Sequence, residues 1–402
     1  WMGLGSILGT GVFVSIGVAA GIAGSGVIVA IALAAIVALC NGFSAAQLAA
    51  NHPVSGGTYE YGYRYLNPWL GFIAGWLFLL AKSASAATAA LGFAGYLLSV
   101  LGIAEQQWLV PIALTIILGL TLLVLGGIQK SNRANVAIVT VTLSTLLFFI
   151  LAGSFRFSVA NLTANPTNLT GIFHATALMF VAYTGYGRIT TMGEEVQHPE
   201  KTIPRAVLLT LVLTMLLYVA VAIVGIGVAG STVMSLSATA KAAPLEVVAR
   251  YFAIPGSGEI LAIGAMTAML GVLLNLILGL SRVLLAMGRR GDMPRVVARL
   301  NAARTTPAIA VIVMGAIVAL LVLIGNVKTT WSFSAFNVLI YYALTNLSAL
   351  RLSASERLYP TAIAWTGLIA CLFLAFWVEP QIWLIGLGLI GLGLLWKALT
   401  RF

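Results

Sequence analysis

Gly5-Ser-Ile-Leu-Gly-Thr-Gly-Val-Phe13 places glycine and threonine at the centre of an apolar run that covers residues 2–24. A second run, residues 171–193, contains Tyr183-Thr-Gly-Tyr-Gly187 near its middle. Each run is long enough to cross the roughly 30 Å hydrocarbon core of a bilayer as a helix. Because glycine adopts backbone dihedrals that other residues avoid, we expect both helices to be interrupted inside the membrane.

The rest of the chain is also apolar. Hydrophobic residues make up 61% of the 402 positions and charged residues only 8%, and the mean hydropathy is +1.06. This leaves too little polar surface for a soluble protein of this size. About twelve runs are long enough to span a bilayer, and they lack the alternating pattern of barrel strands. The sequence therefore predicts an all-α membrane protein with about twelve transmembrane helices.

The order of the spans indicates an internal repeat. Prolines near the edges of the runs give approximate boundaries. The predicted spans are 2–24, 26–50, 68–100, 108–127, 134–155, 171–193, 203–229, 256–288, 307–325, 327–350, 360–378 and 380–399. The interrupted spans are the first and the sixth, and interrupted helices at matching places in two halves are typical of inverted repeats around a midplane binding site. Glycines also allow close helix packing, but the matched spacing favours interruption. The predicted domains are a first repeat (1–155), a second repeat (156–350) and two additional helices (351–402).

The basic residues are unevenly distributed between the two sides. With the N-terminus placed inside, sixteen of the 21 Lys and Arg residues fall in inward loops and ends, four fall in outward loops, and Lys82 lies inside a span. This positive-inside bias explains the net charge of +11 without a nucleic-acid partner. It predicts a multi-pass protein of the cell membrane with both termini in the cytoplasm.

Interrupted helices predict a particular ligand chemistry. The start of a helix offers N–H groups and a positive dipole end to an anion, and the end of a helix offers carbonyl groups to a cation. An α-amino acid carries one group of each kind. The expected donors are the N–H groups of Gly9, Thr10 and Gly11, and the expected acceptors are carbonyls near Ile7, Val181 and Thr184. The ligand would be able to approach the backbone of both spans at the glycines Gly9, Gly11, Gly185 and Gly187.

Three motifs resemble those of one transporter superfamily. Gly5-Ser-Ile-Leu-Gly-Thr-Gly-Val-Phe13 looks like the first-helix signature of the amino acid/polyamine/organocation (APC) superfamily. Glu194-Glu-Val-Gln-His-Pro-Glu-Lys-Thr-Ile-Pro-Arg205 is similar to its stretch after the sixth helix, and Ser281-Arg-Val-Leu-Leu-Ala-Met-Gly-Arg-Arg-Gly-Asp-Met-Pro294 to its stretch after the eighth. The resemblance implies five-plus-five inverted repeats, two extra helices, alternating access, and amino acid or amine substrates. It also implies that residues 7–13 and 181–187 hold the substrate backbone.

The side-chain pocket is implied to lie among the third, eighth and tenth spans. Candidate residues there are Ala86, Asn275 and Asn337, the two asparagines being equally suited to bond neighbouring helices. Many superfamily members have an acidic residue where this chain has Gly187, and its absence argues against diamines and polyamines. Neutral amino acids are the favoured substrates, with amines, polyamines or cationic amino acids as the alternative.

Lys82 is the candidate for ion coupling. Several proton-coupled members have a lysine where this chain has Thr142, so that assignment does not carry over. Lys82 lies about 14 residues into the third span, roughly 21 Å along a helix, and an ionisable residue at such depth is a functional hypothesis by default. We expect it to face the bundle interior and to gain and lose a proton during transport. The alternative is that it snorkels to the boundary or bonds carbonyls of a broken helix.

The remaining polar residues suggest gates rather than catalysis. Glu194 and Glu195 lie near Arg188, Lys201 and Arg205 and are expected to form a gating salt-bridge network rather than a catalytic pair. Tyr183 and Tyr186 flank the sixth-span interruption and would either cap the substrate or pack between helices.

Cofactors are not expected. His52, His174 and His198 lack metal-site spacing. Hydroxyls of Thr140, Thr142, Ser144 and Thr145 would either ligate sodium or bond back to their own helix.

The sequence also bears on other classes of membrane protein. A membrane-embedded enzyme would need a nucleophile with a base, or a metal cluster, and neither a His-Glu-x-x-His nor a Gly-x-Ser-x-Gly motif occurs. A channel is excluded less firmly. The expected partners are an amino acid and the lipid bilayer, with a proton or sodium gradient, or exchange, as the driving force.

Overall fold

The structure is a computed structural model that describes residues 2–54, 56–103, 105–127, 132–164, 168–190, 198–301 and 306–400. Within these ranges all regular secondary structure is helical. The α-helices are α1 (Met2–Ile7), α2 (Ile16–Ala23), α3 (Val27–Asn51), α4 (Thr58–Tyr61), α5 (Pro68–Val100), α6 (Leu109–Leu125), α7 (Asn132–Ser154), α8 (Val159–Thr163), α9 (Leu169–Tyr183), α10 (Gly187–Thr190), α11 (Pro199–Ala240), α12 (Pro244–Arg250), α13 (Ser257–Arg290), α14 (Ala308–Val322), α15 (Val327–Leu350), α16 (Thr361–Ala375) and α17 (Pro380–Leu399).

Each predicted span corresponds to a helix or to an interrupted helix. Eight helical stretches of the described chain are long and apolar enough to cross a membrane, and two shorter apolar helices, α14 and α16, accompany them. One of the eight, Gly11–Asn51, contains the second predicted span and the later part of the first, because a 3-10 turn at Gly24–Gly26 continues directly from α2 into α3. The all-α membrane fold is therefore confirmed.

Both predicted interruptions are present. The first span breaks after α1 and resumes through a π-helical turn, Gly11–Ser15, into α2. The sixth span consists of α9 and α10, separated by a 3-10 turn at Thr184–Tyr186. Short 3-10 and π segments inside long helices often mark functional positions.

Two connections contain more helix than the sequence indicated. The seventh span does not end at residue 229: α11 continues to Ala240 past a kink at Gly230, whose φ of 80° a glycine adopts easily. After it, residues Pro244–Arg250 form the short helix α12. On the opposite side, the connection between α3 and α5 folds into α4 and a π-helical turn, Gly62–Leu66, where no element was predicted.

Helix packing follows the pattern that two inverted repeats would produce. The helix α2 of the first span packs against α11, and α9 of the sixth span packs against α3. Likewise α5 packs against α15, and α13 packs against α7. These relations are preserved when each span is replaced by the one five places along. The domain boundaries at residues 155 and 350 stay a prediction that this symmetry supports.

The centre of the bundle is formed by α5 and α15, which are mostly buried, whereas α6 and α17 lie at the periphery. Peripheral side chains such as Leu118 and Leu395 are exposed by 61% and 62%. Large exposed apolar residues would be unfavourable in water, but they suit a surface that faces lipid.

Candidate functional site

The first-span interruption presents backbone donors. The Leu8 N–H still bonds to the Leu4 carbonyl at 2.8 Å, and the next bonds run from Val12 and Phe13 to the Gly9 carbonyl at 3.1 and 3.2 Å. The intervening N–H groups therefore precede the first bonds of the new helix and are the ones that a helix start offers to an outside acceptor. Beside them, the Thr10 hydroxyl is buried and has no hydrogen-bond partner among the described residues.

The carbonyls expected to hold an ammonium already accept hydrogen bonds. The Tyr218 hydroxyl donates to the Ile7 carbonyl at 3.0 Å, and the Tyr342 hydroxyl donates to the Thr184 carbonyl at 3.3 Å. The Val181 carbonyl accepts from both the N–H and the hydroxyl of Thr184. The Thr184 carbonyl also accepts from the Gly187 N–H. A carbonyl oxygen has two lone pairs, so Ile7 retains acceptor capacity that Val181 and Thr184 have used.

The two interruptions touch each other. A Cβ placed on Gly185 would collide with the carbonyl of Ser6, and one on Gly11 would lie 2.5 Å from the Cβ of Ala182. A Cβ on Gly9 would lie 2.6 Å from a methyl group of Val272 in α13. These glycines thus allow helices to approach, as in small-residue packing. This differs from the expectation that their purpose is to admit a ligand, although Gly11 and Gly185 also face the cavity.

A cavity of about 710 Å³ lies between the interruptions, and this volume is within the usual range for ligand sites. The cavity extends toward the side of the bundle where the inward loops with most Lys and Arg residues lie, here called the Arg-rich side. It is bounded by both interruptions, by α5, α13 and α15, and by the segment before and within α4. Toward the Arg-rich side its wall includes Arg188, Arg282 and Thr306. The predicted site residues that line it are Ile7, Thr10, Gly11, Lys82, Val181, Thr184, Gly185, Gly187 and Arg188, together with Asn275.

Lys82 faces the bundle interior, as expected. Its ammonium donates a 2.8 Å hydrogen bond to the Thr184 hydroxyl in the sixth-span interruption. The other lining cations are Arg188 and Arg282, and no carboxylate is found among the described lining residues. The charged side chains among the described lining residues are therefore all basic.

Several predicted site residues lie outside the cavity wall. The Tyr183 hydroxyl donates to the Ile31 carbonyl at 3.2 Å, and the Tyr186 ring packs against Tyr342 with centroids 5.4 Å apart. Both tyrosines are fully buried, which matches the packing alternative. Gly9 packs against α13, and Ala86 is buried within α5 without reaching the cavity.

Two further candidates bond to their own helices. The Asn337 amide donates to the Phe333 carbonyl at 2.8 Å, and the Thr142 hydroxyl donates to the Ile138 carbonyl at 2.8 Å. The Thr145 hydroxyl does the same with Val141, so the local alternative to sodium ligation holds for both threonines.

The predicted gate network is only partly visible. Glu194 and Glu195 lie outside the described residues. Arg188 lines the cavity, and Arg205 is exposed near the start of α11.

The opposite side of the bundle is covered by α12. The carboxylate of Glu246 is fully buried and accepts hydrogen bonds from Ser99 at 2.6 Å and Arg250 at 2.5 Å. Near it, the Tyr96 hydroxyl of α5 donates to the Phe13 carbonyl at 2.6 Å. These contacts hold α12 and α5 together above the first-span interruption, and no residue of α12 lines the cavity.

Sequence reasoning missed the tyrosines that hold the interruptions. Tyr218 bonds carbonyls of both spans, since its hydroxyl also lies 3.3 Å from the Ala182 carbonyl. Trp331 donates to the Leu178 carbonyl at 2.9 Å and lines the cavity. A tyrosine or tryptophan deep in an apolar span needs a partner for its polar tip, and that signal was available in the sequence.

Comparison with known proteins agrees with this geometry. Residues 1–401 match the profile of the amino acid permease family. An uncharacterized transporter of Mycobacterium tuberculosis is 38% identical over 395 residues, which cover 98% of this chain and 87% of that protein. A branched-chain amino acid permease of Bacillus subtilis is 28% identical over 343 residues, covering 80% of this chain and 72% of that protein. A chloroplastic cationic amino acid transporter of Arabidopsis thaliana is 26% identical over 377 residues, covering 86% and 63%.

These relatives are transporters rather than enzymes. Such a profile match, together with a relative of 38% identity that covers almost the whole chain, shows that this protein belongs to the amino acid permease family of the APC superfamily.

Proposed function

We propose that the chain is a secondary permease for neutral amino acids that works by alternating access in the cell membrane, with both termini in the cytoplasm. The observation that carries the proposal is the cavity at the two apposed interruptions, where backbone donors and the unpartnered Thr10 hydroxyl face the same space. A carboxylate would accept hydrogen bonds from these donors at the positive end of the helix dipole. The ammonium would bind the remaining lone pair of the Ile7 carbonyl.

The charge of the cavity supports a substrate without a cationic side chain. Lys82, Arg188 and Arg282 line it, and the described wall contains no carboxylate that would pair a second ammonium. A cationic substrate side chain beside the Lys82 ammonium would be repelled in a region of low dielectric. The charge of the wall therefore favours neutral amino acids over cationic amino acids, after which the Arabidopsis thaliana relative is named.

A second candidate is an acidic amino acid, and Lys82 is the observation that favours it. Its ammonium lies in the cavity wall, within reach of a carboxylate from a side chain that occupied the space near α15. A charge-assisted hydrogen bond to that ammonium would then replace the one to Thr184.

The asymmetry of the cavity supports alternating access. The cavity extends to Arg188 and Arg282 on the side that the positive-inside bias assigns to the cytoplasm, while α12 closes the other side. We therefore assign this arrangement to the inward-facing state. Opening on the other side would require α12 to separate from α5.

Proton coupling through Lys82 is the coupling we favour. Its bond to Thr184 connects an ionisable group of α5 to the segment that binds substrate. Loss of the proton would remove the charge and weaken that bond, so the two events are linked. The ionisable groups around it in the cavity wall are Arg188, Arg282, Tyr61, Tyr341 and Tyr342.

The test is uptake of labelled alanine, leucine, arginine and glutamate into proteoliposomes with an inward proton gradient, an inward sodium gradient or neither. Protein-free liposomes and liposomes loaded with unlabelled substrate are the controls. We expect neutral amino acids to accumulate with the proton gradient. Glutamate accumulation alone would favour the second candidate, and arginine accumulation would contradict both. Absence of uptake and exchange for every amino acid would refute the proposed function.

A further inference from the structure

The segment of residues 56–66, here called the inner lid, forms part of the cavity wall on the Arg-rich side. Gly56, Gly57, Thr58 and Tyr61 line the cavity. On one side the lid is attached to α15, since the Thr58 and Thr345 hydroxyls lie 2.6 Å apart. The lid is therefore placed where its position determines how wide the cavity opens.

On its other side the lid is attached to a single buried carboxylate. Asp292 follows the C-terminal glycine of α13 and is 1% exposed. Its carboxylate accepts hydrogen bonds from the hydroxyls of Tyr59 at 2.7 Å and Tyr63 at 2.7 and 2.8 Å. Burial raises the pKa of Tyr59, and the neighbouring Asp292 raises it further, so this hydroxyl stays a donor.

The same carboxylate holds the last helix. The Lys397 ammonium of α17 forms an ion pair with Asp292 and donates to the Tyr63 hydroxyl at 3.0 Å. The Trp396 indole donates to the backbone carbonyl of Asp292 at 3.0 Å. The end of α17 thus contacts both the lid and the segment after α13.

Arg290 adds a second attachment between α13 and the lid. It forms a 2.5 Å ion pair with Glu60, and its guanidinium carbon lies 4.1 Å from the centre of the Tyr63 ring. The lid and α13 are therefore joined at two points and would move as one unit. Since α13 also lines the cavity, this movement would change the cavity wall.

The buried ion pair has an energetic consequence. A buried carboxylate is tolerated when its oxygens are bonded, and here two hydroxyls and an ammonium provide those bonds. Removing the charge of Asp292 would leave Lys397, whose side chain is 12% exposed, without compensation. Removing both charges would avoid that penalty.

We propose that Asp292 is a positioning residue for transport, which joins the inner lid to α13 and α17 so that the cavity opens and closes as a unit. The proposal rests on the proposed function for its effect on transport, but not for its effect on the lid. It also gives α17, one of the two helices outside the repeats, a role in the transport cycle rather than in lipid contact alone.

The first experiment measures the lid without measuring transport. Thr58→Cys is introduced into the full chain and into the Asp292→Asn variant, and labelling by a membrane-impermeant thiol reagent is followed over time. The native cysteines stay in both backgrounds, and the chain without the new cysteine gives their contribution. Arg299→Gln, which removes an exposed charge from the segment after α13, is the control.

We expect Asp292→Asn to raise the labelling rate of the new cysteine by about tenfold, equivalent to about 1.4 kcal/mol in the opening equilibrium. Arg299→Gln should leave that rate unchanged. Labelling that is equal in the Asp292→Asn variant and its parent would refute the proposal, even if no amino acid were transported.

The second experiment uses a transported amino acid and compares Asp292→Asn, Lys397→Met and the double variant. We expect Asp292→Asn to lower the maximal rate while KM stays within about twofold, because the substrate groups are not touched. The double variant should recover part of that rate, since no unpaired ammonium remains. A change confined to KM, or a double variant no better than Asp292→Asn, would overturn the proposal. Equal thermal stability of purified variants separates positioning from misfolding.

Discussion

The ammonium of Lys82 lies 2.8 Å from the hydroxyl of Thr184, so a charged group of α5 is bonded to the interrupted segment of the sixth span. The Thr184 hydroxyl in turn donates to the Val181 carbonyl. One charge thereby connects a helix of the bundle centre with a segment that we propose binds substrate. Whether Lys82 is protonated should therefore influence transport.

Replacing Lys82 should separate coupling from substrate exchange. In Lys82→Gln the side chain can still donate to Thr184, but no proton can be gained or lost. We expect accumulation driven by a proton gradient to disappear while exchange of labelled for unlabelled substrate continues. Lys82→Arg keeps a permanent charge and should also lose proton-driven accumulation. An unchanged pH dependence of uptake in Lys82→Gln would exclude Lys82 from coupling.

Gly185 should be intolerant of a side chain. An alanine there would collide with the backbone carbonyl of Ser6, which a flexible neighbour cannot relieve. We expect Gly185→Ala to abolish uptake or to lower the melting temperature in detergent. Gly388→Ala is the matched control, because a Cβ at this exposed position meets nothing within 4 Å and alanine favours helix by about 0.5–1 kcal/mol. Wild-type uptake by Gly185→Ala would show that the two interruptions separate easily.

The sequence predicted the architecture because membrane folds depend on features that are local in sequence. Span length, apolar composition and glycines in the first and sixth spans are readable directly, and each corresponds to an element of the structure. The same holds for Lys82, whose depth in a span predicted that it would face the interior.

What could not be predicted depends on contacts between distant parts of the chain. Tyr218 bonds the Ile7 carbonyl across 211 positions, and no local pattern pairs them. The inner lid lay in a connection whose residues show no helical period, and Asp292 acquires its role only when Lys397 reaches it. The close contacts of Gly11 with Ala182 and of Gly185 with Ser6 likewise join residues that are distant in sequence.

The contact between Thr58 and Thr345 offers a way to fix the inner lid. Their hydroxyls are 2.6 Å apart, so cysteines at both positions are close enough for a disulfide. We expect oxidised Thr58→Cys/Thr345→Cys protein to lose uptake and to regain it on reduction, because the lid would be locked to α15. Each single cysteine variant under the same oxidant is the control. Full uptake by the cross-linked protein would mean that lid and α15 do not move apart during transport.

Glu379 should make stability on the outer side depend on pH. It lies before α17, and its carboxylate forms ion-pair contacts with Lys328 of α15 at 3.0 Å and His174 of α9 at 3.5 Å. Burial alone would raise the pKa of Glu379, but the neighbouring His174 and Lys328 outweigh it and hold that pKa well below its ordinary value. The carboxylate is therefore more acidic in the folded state than in the unfolded one. Its contribution is complete above the unfolded pKa of about 4.3 and is lost as pH falls toward the folded value.

The measurement is the melting temperature of wild-type protein and Glu379→Gln in detergent between neutral and acidic pH. We expect the wild type to be more stable at neutral pH by about 1 kcal/mol, as for a partly exposed ion-pair cluster. That difference should shrink only below about pH 4.3. Glu105→Gln, an exposed carboxylate on the same side, should show no comparable difference. If the advantage of wild type persisted unchanged to the lowest pH, it would come from packing around Glu379 rather than from its charge.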